Sequence, residues 1–369
     1  MRLLYVANVR MPTEKAHGIQ IAEMCNAFAQ TGVQVVLLLP KRDNEIKEDI
    51  FSYYGIPQSF AVTYVPVSDT VRFGFLGFLY ETYSFIKAVK KYLSEAQLDV
   101  VYGRDELVLA GLLKLGGRFV WESHTGVWNW AVRKLVAQEV PIVAISRGLE
   151  TFYKKHDVPF DRLFVAHDGF SDTRTEESYS KKDLRRILSL PEEGFLTVYT
   201  GKLDSWKGVE TFLRAATYSK EVSTFVVVGG NEKQIAPLKA AHKEVYFIPY
   251  VHPQIAERYQ RAADLLVLPN TAKNIISKYY TSPLKLFNYM ASGNPLLVSD
   301  LPSVREIVSE ENAYFFKPDD SEDLAEKIRY IKEHMDEAYL RAVKAKEHVR
   351  GYAWQRRAEK IIAFVKNYF

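Results

Sequence analysis

Residues 282–295 read Ser-Pro-Leu-Lys-Leu-Phe-Asn-Tyr-Met-Ala-Ser-Gly-Asn-Pro, and this stretch gives the clearest indication of the fold. Its apolar residues recur at helical spacing, at Leu286, Tyr289 and Met290. Gly293 and Pro295 end that helix, and an apolar run of strand length begins at Leu296. The segment is therefore predicted to form a loop, a helix and a strand, and the N–H groups at the helix start would attract a phosphate.

The composition is that of a folded protein with two domains. The chain has 369 residues, of which 47% are hydrophobic and 25% charged, so a sizeable core is expected and disorder is not. The net charge of +4 is mild and fits anionic ligands. No nucleic-acid-binding motif accompanies it, so we expect no nucleic-acid partner.

The sequence also predicts the compartment. One cysteine, Cys25, rules out an intramolecular disulfide and a cysteine-based metal cluster, which points to a reducing compartment. The first apolar run is short and closed by Arg10, as expected for a strand rather than a signal peptide. The longest aromatic and aliphatic run, Phe73 to Tyr80, is far below the roughly 20 residues of a membrane span. We expect a cytoplasmic protein, with peripheral contact at the inner membrane face left open.

Short apolar runs alternate with helical stretches along the chain, which is typical of βαβ units with a parallel sheet. The first half is predicted to contain strands at Leu3–Ala7, Val33–Pro40, Val62–Pro66, Val100–Tyr102, Phe119–Glu122, Ile142–Ser146 and Leu163–Ala166. The second half is predicted to contain strands at Phe195–Thr200, Thr224–Val228, Val245–Ile248, Leu265–Leu268, Leu296–Val298 and Ala313–Phe316.

A polar segment from Ser171 to Leu190 interrupts this alternation and is the predicted domain boundary. The predicted domains are 1–170 and 171–350, and the final helix, 351–369, is expected to cross back to the first. The fold class is therefore α/β, with two Rossmann-like doubly wound domains facing across a cleft. Ligands of such sheets bind at the carboxyl ends of the strands, so the chemistry is expected in the loops after them.

A lysine-containing loop follows the first strand of the second domain. Lys202 and Lys207 lie five residues apart across a predicted turn, and Gly201 and Gly208 permit a tight backbone there. Two ammonium groups at this position can converge on one diphosphate and stabilise the charge that builds on it as a leaving group. The alternative is a solvated turn.

Two residues of the first domain are also candidates for contact with a substrate. Gly18 precedes the predicted helix Ile19–Gln30, where its backbone can approach a phosphate closely, although it can also be an ordinary loop glycine. His124 follows a strand and is a candidate for holding a substrate hydroxyl or carbonyl, although a lone histidine is often structural. Glu122 is an alternative general base, unless its side chain points into the core.

Together, these motifs resemble those of a retaining glycosyltransferase of the GT-B fold, in the large family 4. The resemblance covers nearly the whole chain and rests on Gly18, His124, Ala144-Ile145-Ser146, Asp168-Gly169, Gly201-Lys202, Lys207-Gly208, residues 263–269, residues 282–295 and residues 300–306. It implies a nucleotide sugar in the second domain, an acceptor in the first, and transfer with retention and without a metal or other cofactor.

The resemblance also implies a set of site residues. The candidate catalytic residues are His124, Lys202 and Lys207. The candidate donor-binding residues are Gly18, Gly201, Tyr250, Val251, Tyr280, Thr281, Ser282, Pro283, Leu284, Lys285 and Asn288, and the loop from Thr281 to Leu284 would offer backbone N–H groups. The sequence departs from the family at Tyr280 and Asn288, where two glutamates are usual, and Asn288 lacks the charge with which a carboxylate binds ribose hydroxyls.

These features predict a hexosyltransferase-type enzyme that uses a UDP- or GDP-sugar and a sugar or lipid-linked acceptor, in the synthesis of a glycan, glycolipid or cell-surface polysaccharide. Two alternatives are a sugar-nucleotide epimerase of the same fold and a catalytically silent nucleotide-sugar-binding subunit. The segment with Phe73, Phe75, Phe78 and Tyr80, followed by lysines, is expected to pack on the first domain, with insertion into a membrane interface as its alternative.

Overall fold

The computed structural model describes residues 1–171 and 179–369, which form two α/β units. The first unit consists of Met1–Asp168 with Trp354–Phe369, and the second of Gly169–Ala353. The units change over at 168/169 and 353/354, where the sequence predicts 170/171 and 350/351. Part of the polar segment predicted as the boundary, 172–178, lies outside the described residues.

The first unit contains a seven-stranded parallel sheet in the order β3-β2-β1-β4-β5-β6-β7. Its strands are β1 (Arg2–Val6), β2 (Gln34–Lys41), β3 (Ala61–Pro66), β4 (Val100–Gly103), β5 (Phe119–Ser123), β6 (Ile142–Ala144) and β7 (Leu163–Val165). In the centre of the sheet, Leu3 is in register with Val35 on one side and Val100 on the other. These strands are apolar almost throughout because helices cover both faces of a parallel sheet.

The second unit contains a six-stranded parallel sheet in the order β10-β9-β8-β11-β12-β13. Its strands are β8 (Leu196–Thr200), β9 (Thr224–Val228), β10 (Val245–Ile248), β11 (Leu265–Leu268), β12 (Leu296–Ser299) and β13 (Tyr314–Phe316). Every predicted strand is present with ends within two residues of the prediction, which confirms the predicted class of two doubly wound Rossmann-like domains.

Helices connect the strands. The first unit has α1 (Ala16–Gln30), α2 (Ile50–Tyr54), α3 (Gly74–Glu95), α4 (Glu106–Leu112), α5 (Trp130–Ala137) and α6 (Arg147–Lys154). The second has α7 (Lys181–Ile187), α8 (Val209–Ser219), α9 (Glu232–Ala241), α10 (Pro253–Ala262), α11 (Leu284–Ser292), α12 (Pro302–Arg305), α13 (Ser321–Glu333) and α14 (Met335–Val349). The last helix, α15 (Trp354–Tyr368), belongs to the first unit and packs on α1.

The order of each sheet fixes where a ligand is expected. In the first sheet, strands are added on one side of β1 up to β3 and on its other side from β4 onwards. In the second sheet the same change of side occurs at β8, between β10 and β11 in the sequence. The loops that follow those strands diverge and leave a crevice at the carboxyl edge of the sheet. None of the helices in the described residues is both long enough and apolar enough to cross a bilayer.

Candidate functional site

The crevice of the second unit is bounded by the start of α11. A single π-helical turn, Ile276–Tyr280, precedes it, and the N–H of Thr281 donates to the Ile276 carbonyl oxygen at 2.9 Å. Pro283 is the N-cap and makes no side-chain cap hydrogen bond. The prediction that the whole loop from Thr281 to Leu284 offers backbone N–H groups is therefore wrong for two of its residues. Thr281 and Pro283 offer no N–H to a ligand, because one N–H is used internally and proline has none.

The donors that remain in the first turn are the backbone N–H groups of Leu284 and Lys285, for which an α-helix supplies no carbonyl of its own. Ser282, just before them, is buried, at 4% exposure. Asn288 lies one turn further on, on the same side of the helix as these two residues, and is partly exposed. Tyr280, at the end of the π-helical turn, is also partly exposed.

The ammonium group of Lys285 is the most unusual feature of this crevice. Its Nζ is buried and has no hydrogen-bond partner among residues 1–171 and 179–369. It lies 4.0 Å from the centroid of the Tyr199 ring, and a Cβ on Gly201 would be only 2.8 Å from it. Burial, and then the charge of Lys207, hold the pKa of Lys285 well below its ordinary value of 10.5. Asp204 opposes this shift, but the buried Nζ makes no hydrogen bond, so this position favours an anionic ligand that would hold it in its ammonium form.

Lys207 and Lys202 complete what we call the lysine cluster, with Lys285 as its third member. Lys207 ends a short 3-10 turn, Ser205–Lys207, and its Nζ lies 3.5 Å from the centroid of the Trp206 ring. Burial lowers the pKa of Lys207 to about 8, Asp204 opposes the shift, and Lys202 adds to it. Lys202 is exposed. Lys207 interacts electrostatically with Lys202 and with Lys285, so all three lie in one region of the second unit. The convergence of Lys202 and Lys207 on one diphosphate stays a prediction.

Glycines make this approach of loops feasible. Gly208 has φ +71°, and a Cβ there would lie 1.6 Å from the Pro269 carbonyl oxygen. Gly201 has φ +141° and lies below the Lys285 side chain. A larger residue would be strained at either position. At Gly208 it would push apart the loops that follow β8 and β11, and at Gly201 it would displace the Lys285 side chain.

Helix α11 is tied to the end of β8 by Tyr289. Its hydroxyl accepts a hydrogen bond from the N–H of Thr200 at 2.8 Å, and the Tyr289 side chain is fully buried. The hydroxyl of Tyr199 donates to the Lys202 carbonyl oxygen at 2.6 Å, which fixes the start of the lysine loop. These two bonds hold the helix start and the loop in one arrangement.

One further polar residue of this unit was missed by the sequence argument. Asn270 follows β11, is fully buried, and neither its Oδ1 nor its Nδ2 has a hydrogen-bond partner among the described residues. Its backbone N would lie 3.3 Å from a Cβ on Gly208. The available signal was an asparagine directly after an apolar strand beside the switch point. A buried amide with unpaired atoms is a candidate ligand contact.

Tyr250 and Val251 lie at the neighbouring edge of the sheet, between β10 and α10. The N–H of Tyr250 donates to the Gly230 carbonyl oxygen at 2.8 Å, and both residues are partly exposed. They follow β10, so they lie two strands away from β8 in the sheet order. Their predicted role in binding the donor stays a prediction.

In the first unit, Glu122 at the end of β5 is the centre of a buried polar network. Its Oε1 accepts from Gln20 and lies 2.6 Å from His124 Nε2. Its Oε2 accepts from Tyr102 and from both terminal nitrogens of Arg357, each at 3.1 Å. Burial acts to raise the pKa of Glu122, but Arg357 and His124 outweigh it and hold that pKa well below its usual range. With both oxygens occupied, Glu122 is not accessible as a general base.

Arg357 also escaped the sequence argument. It lies on α15, donates to the carbonyl oxygens of Ala166 and His167, and is 4% exposed. An arginine within the apolar stripe that contains Trp354 and Ile361 was the readable signal. Its contacts join the terminal helix to the strand that presents His124.

His124 is held in one form by this network. Burial, and then the charge of Arg104, lower the pKa of His124 to about 4, so the imidazole is neutral at pH 7. A neutral ring beside the Glu122 carboxylate donates through Nε2–H, which leaves the lone pair on Nδ1. In that tautomer His124 can accept a hydrogen bond from a hydroxyl group, whereas the alternative role of holding a carbonyl would need a donor.

His124 lines a cavity of about 350 Å³ within the first unit. Other lining residues are Ala7, His17, Phe78, Arg104 and Trp121. They come from the loops after β1 and β4, from the end of β5, and from α1 and α3, so the cavity lies at the switch point of this sheet. Its size suits a monosaccharide-sized group.

Gly18 has a different setting from the one predicted. Helix α1 begins at Ala16, so Gly18 lies inside its first turn rather than in the preceding loop. A Cβ there would lie 2.1 Å from the Tyr54 hydroxyl oxygen, and Gly18 is buried. Close packing of Tyr54 therefore accounts for the glycine. The predicted helix start was wrong because Ala16 and His17 are compatible with a helix and nothing marks Ile19 as its first residue.

The described residues contain no group of three or more His, Cys, Asp or Glu side chains that could hold a metal ion.

Comparisons with known proteins agree with this architecture. Residues 194–334 match the family model described as Glycosyl transferases group 1, and residues 18–174 match Glycosyltransferase Family 4. The chain is similar to an uncharacterized glycosyltransferase of Methanocaldococcus jannaschii, with 21% identity over 239 residues, 61% of this chain and 59% of the relative. It is also 21% identical over 175 residues to the O-antigen biosynthesis glycosyltransferase WclY of Escherichia coli, 46% of each chain.

Among solved structures, the chain is similar to the Anabaena protein HepE in complex with UDP-glucose. The two have a TM-score of 0.77 and 16% sequence identity, and the match covers 100% of each chain. The chain spans 59% and 46% of the two curated relatives. The fold is therefore that of GT-B glycosyltransferases, and each half of the chain matches the model of one glycosyltransferase family.

Proposed function

We propose that this protein is a glycosyltransferase that transfers a hexose from a nucleoside-diphosphate sugar to an acceptor hydroxyl, with retention of configuration and without a metal ion. The observation that carries the proposal is the buried Nζ of Lys285, which has no hydrogen-bond partner among the described residues and lies near Lys207, whose charge lowers the pKa of Lys285. A diphosphate would supply hydrogen-bond acceptors and negative charge, and so favour the ammonium form of both lysines.

The second unit would bind the donor. Lys207 and Lys285 contact the phosphates, together with the N–H groups of the first turn of α11, and Asn288 accepts or donates one hydrogen bond at the ribose. During transfer the bond between the sugar C1 and the β-phosphate oxygen breaks, and a bond from C1 to the acceptor oxygen forms on the same face. The leaving phosphate takes the acceptor proton, and the lysine cluster stabilises the charge that develops on it.

The first unit would bind the sugar groups that react. The neutral His124 accepts a hydrogen bond from a sugar hydroxyl through Nδ1, and the network of Glu122 and Arg357 keeps that lone pair directed away from the carboxylate. His124 is a catalytic residue in this proposal because it touches the substrate. Arg357 is a positioning residue, since it acts through Glu122.

The relatives support a class of donor and a pathway. HepE was solved with UDP-glucose, so a UDP-sugar is the first donor to test and a GDP-sugar the second. WclY is described as acting in O-antigen biosynthesis, which supports a role in cell-surface polysaccharide or glycolipid synthesis. The proposed acceptor is accordingly a sugar or a lipid-linked sugar.

The Lys207→Ala variant tests the proposal. Removing one preorganised donor from a developing oxyanion typically lowers turnover about 100- to 1000-fold. Thermal-shift screening against UDP, GDP, ADP and their sugars first identifies the donor, because a ligand that binds only the folded state raises the melting temperature. Turnover is then measured as release of the nucleoside diphosphate in the presence of candidate acceptors.

The matched control is Lys239→Ala, which removes an exposed lysine of α9 in the same unit. It should behave as wild type. Near-normal turnover of Lys207→Ala would overturn the proposed role of the cluster. Isomerisation of the nucleotide sugar without acceptor would favour an epimerase, and binding without transfer or hydrolysis would favour a silent subunit.

A further inference from the structure

Helix α3 of the first unit has one buried and one exposed face. Thr82, Phe85 and Val89 are buried in the unit. On the opposite face Phe75 is 73% exposed and Leu76 is 77% exposed. Further exposed apolar side chains of this segment are Phe73, Leu79, Tyr80 and Tyr83. The prediction that this segment packs on the first domain is thus met by one face only. An apolar patch of this kind on a surface commonly marks an interaction site.

Cationic residues continue the same face. Lys87 and Lys91 follow Tyr83 at steps of four residues, which places them on its side of the helix. Arg72 precedes the aromatic residues and is also exposed. We call this surface the α3 face. It comprises Arg72, Phe73, Phe75, Leu76, Leu79, Tyr80, Tyr83, Lys87 and Lys91.

The α3 face contains no negative charge. Glu81 is the one acidic residue between Arg72 and Lys91, all of which the structure describes. It is fully buried and pairs with Arg42 at 2.5 Å. The exposed charge of this stretch is therefore positive only, and it complements an anionic surface rather than a mixed protein surface.

The order of residues along the helix favours a lipid partner. Aromatic and leucine side chains occupy the first turns, and lysines with long flexible stems follow them. A helix of this type lies in the plane of a bilayer, with its apolar side chains about 5 to 10 Å deep at the boundary of headgroups and acyl chains. Tyrosine is suited to that boundary because its ring is apolar and its hydroxyl is polar.

We propose that the α3 face docks on a bilayer surface that contains anionic lipids. Its apolar residues enter the headgroup boundary and its lysines lie among the lipid phosphates, which attract them electrostatically. The same helix lines the cavity of His124 through Phe78. The proposal goes beyond the glycosyltransferase function and stands whether or not that function is correct.

Co-sedimentation of the full chain with vesicles tests it. Wild type should bind vesicles that contain phosphatidylcholine and phosphatidylglycerol, bind phosphatidylcholine alone much less, and dissociate as salt rises. The Leu76→Asp variant should lower the partition coefficient about tenfold or more, because it replaces an aliphatic group that would enter the bilayer by a charge. The Lys87→Glu, Lys91→Glu double variant should remove the preference for phosphatidylglycerol.

Leu340→Asp is the matched control, since Leu340 is 67% exposed on α14 in the other unit. It should sediment like wild type, and far-UV circular dichroism should show all variants folded. A Tyr80→Trp variant adds a direct readout, because its fluorescence should shift to shorter wavelength on anionic vesicles relative to wild type.

Three results would overturn the proposal. Wild type could remain in the supernatant with both vesicle types, or Leu76→Asp could bind as strongly as wild type. Alternatively, light scattering could show a dimer in wild type that Leu76→Asp converts to a monomer, without vesicle binding. That last result would assign the α3 face to a second copy of the chain.

Discussion

Glu122 in the first unit and Lys285 in the second both place an ionisable group out of contact with water, but their surroundings differ. Glu122 accepts hydrogen bonds on both oxygens and forms an ion pair with Arg357. The Nζ of Lys285 has no hydrogen-bond partner among the described residues, and the charge of its neighbour Lys207 has the same sign. Each arrangement is costly to build, and each has a different use.

The difference distinguishes a structural support from a candidate ligand site. A buried charge whose hydrogen bonds are complete holds its neighbours in one geometry and has nothing left to offer a ligand. A buried charge without partners destabilises the protein until something binds it. The network of Glu122 therefore fixes His124, while the lysine cluster gains most from an anion. The predictions below test this contrast.

The largest expected effect is a loss of stability on substitution of a residue of the first unit. Arg357→Met leaves the Glu122 carboxylate buried without its counter-charge, which should lower the free energy of unfolding by about 3 to 5 kcal/mol. Urea unfolding followed by circular dichroism measures it, and the exposed neighbour offers a control in Arg356→Met, which should change little. Adding Glu122→Gln to Arg357→Met should recover part of the loss. An unchanged midpoint in Arg357→Met would show that the pair does not support this unit.

In the second unit, by contrast, a substitution is expected to increase the stability of the protein. Lys285→Met removes an unpaired buried donor and should raise the free energy of unfolding by about 1 to 3 kcal/mol. The same change should weaken UDP binding about 10- to 100-fold, since a hydrogen bond to a charged group is lost. Unfolding curves and titration calorimetry measure the two effects, with Lys239→Met as the control. Loss of stability together with loss of binding would mean that Lys285 is a structural residue.

A smaller effect is expected when UDP affinity is measured as a function of pH. A lysine binds a diphosphate in its ammonium form, and the pKa of Lys207, lowered by burial to about 8, puts its loss of charge between pH 7 and 9. UDP affinity should therefore fall as pH rises through this interval, by up to about tenfold, and binding near pH 8 should take up a proton. Calorimetry in two buffers of different ionisation enthalpy measures that proton. Lys207→Arg stays charged and should flatten the dependence, whereas an unaltered profile would assign it to another group.

The strands and the lysine loop could be predicted because their signals are local. Parallel strands that are covered on both faces are continuous apolar runs. The glycine at position 208, directly after Lys207, indicates a tight turn. For the same reason the class of fold followed from the alternation of runs. Gly18 shows the limit, because the residue that makes it necessary, Tyr54, lies on another helix.

The decisive features of both sites depend on contacts between distant segments. The sequence around Lys285 is equally compatible with a surface position on its helix, and only the approach of α11 to Tyr199 buries its Nζ. Arg357 and Glu122 are 235 residues apart, so a spacing rule cannot join them. Local patterns placed the candidate residues after the correct strands, whereas their protonation and pairing required the packed structure.

The smallest expected effect is an absence of change at His124. Burial and the charge of Arg104 lower its pKa to about 4, so its ring should stay neutral from pH 8 down to pH 5. NMR of nitrogen-15-labelled histidine should show constant ring shifts over that range with Nε2 protonated, and His124→Gln identifies the signal. In the unfolded chain the same ring binds its proton near the ordinary value of about 6.5, so this group lowers the free energy of unfolding as pH falls from there towards 4. A signal that titrates near pH 6.5 in the folded protein would show that the Glu122 network does not fix His124 as the neutral acceptor, and the contrast between the two units would then fail.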